Sequence, residues 1–233
     1  MSVAQLPPPR PLLIAHRAGN DLNRLREAED AGIDFVEADV WLHRGRLEVR
    51  HTKTLGRLPF LWDRWKLTPA WTPRLQLSAL FQTMRPGTGV MLDLKGVAVD
   101  MPAMVMREIA RDPDGSRPVL VCSQNWAHLE EFRDHPTVLA VHSVGTALQL
   151  RAVATRLTWH DHHVVSVHRR LLTPSAVAAL KKRAAAVITW PVNDAPTLAT
   201  LSEWGVDGVT SDSLELLRAV AAQRAACQRA DAP

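Results

Sequence analysis

Four short stretches carry side chains able to bind a cation and move protons: His16-Arg17, Glu37-Ala38-Asp39, His51 and Asp93-Leu94-Lys95. Along a strand alternate side chains share a face, so Glu37 and Asp39 point one way while Val36, Ala38 and Val40 point the other. If the apolar face meets helices, the two acids lie inside, where uncompensated carboxylates cost several kcal/mol each and call for positive charge. An exposed hairpin with merely solvated acids is the alternative. GVMLDLKG weighs against it, because Asp93 and Lys95 repeat the same device.

Three hard oxygen ligands, Glu37, Asp39 and Asp93, suit one divalent cation, Mg2+ or Ca2+, better than zinc. Beside such a cation Lys95 and Arg17 could neutralise a phosphate group, and His16 and His51, on opposite sides of a phosphorus, could act as general acid and base. A structural role is the alternative for either histidine.

These residues need strands to place them. Eight β-rich runs occur, at 11–16, 33–40, 89–94, 118–123, 138–142, 163–167, 187–192 and 207–211, and eight is the number that closes a (β/α)8 barrel. Helical periodicity marks 21–32, 99–112, 125–134 and 173–186. LEVRH, at 47–51, fits the return arm of a hairpin turning at Arg44-Gly45, which sets residue 50 opposite 39 and 51 opposite 38. The expectation is one α/β domain over 1–233, a single TIM-type barrel with a short hairpin excursion after strand 2. Residues 1–10 read as an extended lead-in and 224–233 as a frayed tail.

Composition agrees with a globular chain: 46% hydrophobic, 22% charged, net charge +4. That balance suits an anionic substrate but shows no basic stripe for nucleic acid. Cys122 and Cys227 imply no disulfide framework. No apolar run is long enough to span a bilayer and no leader pattern opens the chain, which points to the cytoplasm.

Taken in order, His16-Arg17, Glu37-Ala38-Asp39, His51 and Asp93-Leu94-Lys95 resemble the motifs of the glycerophosphodiester phosphodiesterase family. ITWPVND (188–194) and GVDGVTSD (205–212) resemble its downstream stretches. The resemblance implies a (β/α)8 fold, a metal on Glu37, Asp39 and Asp93, an acid-base pair in His16 and His51, and phosphate contacts from Arg17 and Lys95. It also implies a substrate pocket including Asn20 and Trp190, and hydrolysis of a small phosphodiester to an alcohol and glycerol phosphate.

The chain departs from the family at Thr52, where an aspartate usually follows the second histidine, and at Asp93, usually glutamate. Asp93 and a brief insertion also resemble the sphingomyelinase D-like phospholipases, which implies as alternatives cleavage of intact phospholipids with a cyclic phosphate product, or a barrel that binds without turnover. The missing disulfides favour the phosphodiesterase branch. The insertion, 53–75, reads as a loop over the barrel mouth whose Trp62 and Trp65 could touch a membrane surface, unless Trp62, Trp65 and Trp71 form a small core. WHDHH (159–163) reads as a solvated loop, while His142 and His168 end their strands within reach of substrate.

Overall fold

Runs such as Leu12–Ala15 and Val119–Cys122 are apolar on both faces and wholly buried, as strands must be when helices cover one side and a packed interior the other. The computed structural model describes residues 11–54, 60–63, 66–69, 71–156 and 163–230. Eight parallel strands form its centre: β1 (Leu12–Ala15), β2 (Phe35–His43), β3 (Gly89–Lys95), β4 (Val119–Ser123), β5 (Val138–Val144), β6 (Val164–His168), β7 (Ala186–Trp190) and β8 (Gly208–Ser211). They pair in sequence order. β1 closes the ring, with Leu12 beside Gly208 of β8 and Ile14 beside Phe35 of β2. The expected (β/α)8 barrel is therefore present, with every strand in the anticipated place.

Helices α1 (Leu22–Asp30), α2 (Leu77–Thr83), α3 (Met101–Ile109), α4 (Ala147–Arg156), α5 (Pro174–Lys181), α6 (Ala195–Glu203) and α7 (Leu214–Ala230) clothe the ring. Local chemistry sets their starts. Asp21 accepts from the amides of Asn23 and Arg24, Thr173 from Ala176, and Asp194 from Thr197. Three expectations change. Residues 125–134 form a 3-10 segment, Trp126–Phe132, in which Asn125 bonds the His128 ring instead of capping. The tail stays helical to Ala230, since Arg224 reaches Asp34 at 2.8 Å, and Asp34 also accepts from the Leu13 amide at 2.7 Å. The insertion forms a small antiparallel sheet of Lys53–Thr54, Phe60–Asp63 and Lys66–Pro69 rather than a bare loop. Residues 1–10, Trp65, positions 159–162 and 231–233 lie outside the described residues.

Inside the ring, Leu12, Ile14, Phe35, Met91 and Leu120 fill the lower layers, so polar interior positions gather toward the C-terminal mouth. The outer faces pack a separate apolar layer under the helices. His142 belongs to that outer side, away from the substrate contact that its place at a strand end had left open. Strand alternation turns Leu139 and Val141 inward, leaving the His142 ring 5.7 Å from Trp126 and 5.6 Å from His163. No helix among the described residues is long and apolar enough to cross a membrane.

Burial first, and then the charges of His163 and Arg156, push His142 down from 6.5 to about 4. The unfolded chain takes up a proton there that the folded chain refuses. The contribution of this histidine is therefore full above pH 6.5 and falls by about 3 kcal/mol as pH drops to about 4. Urea titrations across that window should show this slope flattened in His142→Val.

Candidate active site

Three carboxylates meet at the C-terminal mouth. Asp39 and Asp93 stand directly opposite one another on β2 and β3, Glu37 lies two residues earlier on β2, and the three offer oxygens that all fall within 4.8 Å of one another. Glu37 and Asp39 are buried and Asp93 is partly open, so the cluster faces the mouth. Among the described residues this is the group that could hold a metal ion. Its all-oxygen donor set fits a hard divalent cation.

Cations and amides surround it. Lys95 Nζ lies 2.9 Å from Asp39 Oδ1 and donates a short bond to Asp93. Arg17 Nε stands 3.7 Å from Asp39 Oδ2, and the Arg17 amide donates to Glu37 Oε2 at 2.6 Å. That amide is aimed by a left-handed backbone, φ 56°, which is uncommon for a side chain other than glycine and belongs to the turn between β1 and α1. Gly19 lets the turn press against β2, because a Cβ there would come within 2.8 Å of Ala38 Cβ.

Burial, and next the charge of Asp39, hold Glu37 well above the usual carboxylate range, and burial likewise raises Asp93 despite Lys95. At Asp39 burial pushes upward too, but the charge and hydrogen bond of Lys95, with Asn20, bring the carboxyl below its ordinary value. Burial opposes the charge on Lys95, yet Asp93, Asp39 and Glu37 together raise its ammonium above the ordinary value. The site is thus a nest of buried acids in which only Asp39 gains enough from Lys95 and Asn20 to outweigh its burial.

His16 follows β1 with its Nε2 3.9 Å from Glu37 Oε2 and its Nδ1 2.6 Å from Asp212 Oδ1. Burial lowers its pKa, against the pull of Asp212. Asp212 is held in turn by Asn193, whose Oδ1 accepts from the Asp212 amide at 2.9 Å and whose Nδ2 donates to its carboxylate at 3.3 Å. Neither Asp212 nor Asn193 was singled out from the sequence. Both lie in stretches already noted there, 188–194 and 205–212, just beyond the C-terminal ends of strands.

Asn20, expected in the substrate pocket, has both polar ends committed to Asp39. Its Nδ2 donates to Oδ2 at 2.7 Å and its Oδ1 accepts from the Asp39 amide at 2.9 Å. Its short side chain spans strand backbone and carboxylate together. Trp190 ends β7 on the inner face, half-buried, with its ring 4.8 Å from that of His168 and nearly perpendicular to it. The hairpin after β2 turns at Arg44 and Gly45, both with positive φ, and its return arm Arg46–Val49 sets Val49 opposite Val40. The Arg50 amide donates to Asp39 O at 2.9 Å, which is the expected register, and the half-buried His51 follows one residue later.

No family model matches the sequence, and no curated protein matches it. Solved structures do. The chain aligns with an Oleispira antarctica phosphodiesterase in complex with the product sn-glycerol-3-phosphate at TM-score 0.72 and 19% identity, over 94% of this chain and 98% of that one. A glycerophosphodiester phosphodiesterase from Thermotoga maritima aligns at TM-score 0.66 and 19% identity, over 91% and 100%. One from Parabacteroides distasonis aligns at 0.66 and 19%, over 92% and 98%. This protein has the fold of the glycerophosphodiester phosphodiesterases.

Replacing Asn20 with alanine strands the buried Asp39 amide. Urea denaturation should show a loss of about 1–3 kcal/mol.

Proposed function

We propose that this protein is a metal-dependent phosphodiesterase that hydrolyses a glycerophosphodiester to an alcohol and glycerol phosphate. The observation that carries the proposal is the meeting of Glu37, Asp39 and Asp93 with the Asp212-paired His16 at the C-terminal mouth of a barrel, the end where such barrels perform chemistry. The shared fold supports the substrate class.

Glu37, Asp39 and Asp93 hold the divalent cation, Mg2+ or Ca2+, which when bound supplies Lewis-acid charge to a phosphoryl oxygen. Lys95 and Arg17 turn from Asp39 toward the phosphate and stabilise the charge that grows on phosphorus-bound oxygens. Asp212 accepts from Nδ1–H of His16, leaving the Nε2 lone pair of the neutral ring free to take the proton of the attacking hydroxyl. His51, entering from the hairpin side, delivers a proton to the departing alcohol oxygen. Trp190 forms part of the pocket wall. When the attacking hydroxyl belongs to water the product is a monoester; when it belongs to the substrate's own glycerol, the product is a cyclic phosphate.

Activity on glycerophosphocholine should vanish in EDTA and return with Mg2+ or Ca2+, and phosphorus NMR of the product separates monoester from cyclic phosphate. Full turnover in EDTA would overturn the metal assignment. Metal-restored protein that turns over no member of a phosphodiester panel would favour a barrel that binds without catalysis.

One observation favours a second reading, in which the substrate is met at a lipid surface. On the small sheet Leu61 is buried while Phe60, Trp62 and Leu67 are exposed, as is Trp71 just beyond it, and the Phe60 and Trp71 rings lie 6.4 Å apart. An exposed apolar face of amphipathic rings suits an interface between water and lipid. Trp62→Ala/Trp71→Ala should reduce cosedimentation with anionic phospholipid vesicles while leaving turnover of soluble glycerophosphocholine intact. Failure of the unaltered protein to sediment with vesicles would remove this reading.

A further inference from the structure

His51 is followed by Thr52, whose buried hydroxyl has no hydrogen-bond partner, so that side chain gives its neighbour no polar support. Support comes from the other side. Arg50 is 4% exposed, its guanidinium lies over the Trp41 ring at 4.9 Å, and its Nε donates to Glu48 Oε2 at 2.7 Å. Glu48 is itself buried, sits opposite Trp41 across the hairpin, and faces Gln76 of the short strand Leu75–Gln76. From this anchored position Nη1 of Arg50 donates a short bond to the carbonyl of Thr52. The Arg50 amide meanwhile holds Asp39 O.

We propose that Arg50 is a positioning residue for His51: its guanidinium, fixed between Trp41 and Glu48, ties down the backbone on the far side of the histidine while its amide ties the near side to β2. His51 is thereby bracketed at residues 50 and 52 and referenced to the strand that carries Glu37 and Asp39. Arginine suits this task because its planar fork points two donors in set directions, toward a carboxylate and a carbonyl at once; a lysine offers one point charge and cannot span both. The ion pair lies outside the carboxylate cluster, so it acts on catalysis through the pose of His51. The inference rests on the reading of His51 as a proton-transfer residue.

A kinetic double-mutant cycle tests it, using glycerophosphocholine as substrate with saturating Mg2+. Removing Arg50 alone would strand Glu48, so the first variant is Glu48→Gln/Arg50→Met, the second is His51→Ala, and the third combines them. The first should lose about 10–100-fold in kcat with KM and thermal midpoint little changed, as expected when a catalytic group is misplaced by a fraction of an ångström. In the His51→Ala background the same pair of substitutions should cost nothing more. Losses that multiply, or an unchanged kcat in Glu48→Gln/Arg50→Met, would overturn the positioning role while leaving the catalytic reading intact. A native kcat in His51→Ala would overturn the catalytic reading and this inference with it.

Discussion

Burying carboxylates at the end of adjacent parallel strands is the constraint on which the rest of the mouth depends. Glu37 and Asp39 are almost wholly shielded from water, and Asp93 faces Asp39 directly. Their mutual repulsion and lost hydration must be offset within a few ångströms. Lys95 and Arg17 supply charge, Asn20 supplies an amide on both sides of Asp39, and the Arg17 amide is turned onto Glu37. Each compensating group is one that a cation or phosphate could displace or engage. The same electrostatic demand that shapes the carboxylate cluster is one that a bound cation could also meet.

The β1–α1 turn shows how backbone is recruited to that demand. Arg17 takes a left-handed conformation and Gly19 packs against Ala38, so the turn is held onto β2 by fit as well as by hydrogen bonds. His16, at the start of the turn, is drawn the other way by Asp212, which Asn193 secures from the loop after β7. Strands β1, β2, β7 and β8 are therefore coupled through one histidine. Beyond the hairpin return arm the Arg50 amide donates to Asp39 O and its guanidinium to the Thr52 carbonyl, on either side of His51. The two proposed proton-transfer groups come from elements with separate supports, which lets each be positioned without disturbing the other.

Beyond the hairpin the insertion adds a sheet rather than a loose loop. Period-two alternation puts Leu61 inward and turns Phe60 and Trp62 outward, leaving aromatic surface on the small sheet.

Much of the architecture is legible along the chain because it depends on neighbours in sequence. The two-residue period exposes the strands and shows that Glu37 and Asp39 share a face with each other and not with Val36 and Val40. Arg44-Gly45 sets the hairpin register because a tight turn leaves little freedom in pairing. Tertiary structure decided what closure of the ring brings together. Asp212 reaches His16 across 196 residues only because β8 pairs with β1, Asn20 serves Asp39 only because the first turn folds over β2, and His142 faces the helices because strand alternation turns Val141 inward. The sequence by itself determined the eight strands and the acids that share a face at their ends, since periodicity and residue type are local properties. Which acid pairs with His16, and which loop secures that acid, was decided only when distant segments were packed within hydrogen-bonding distance.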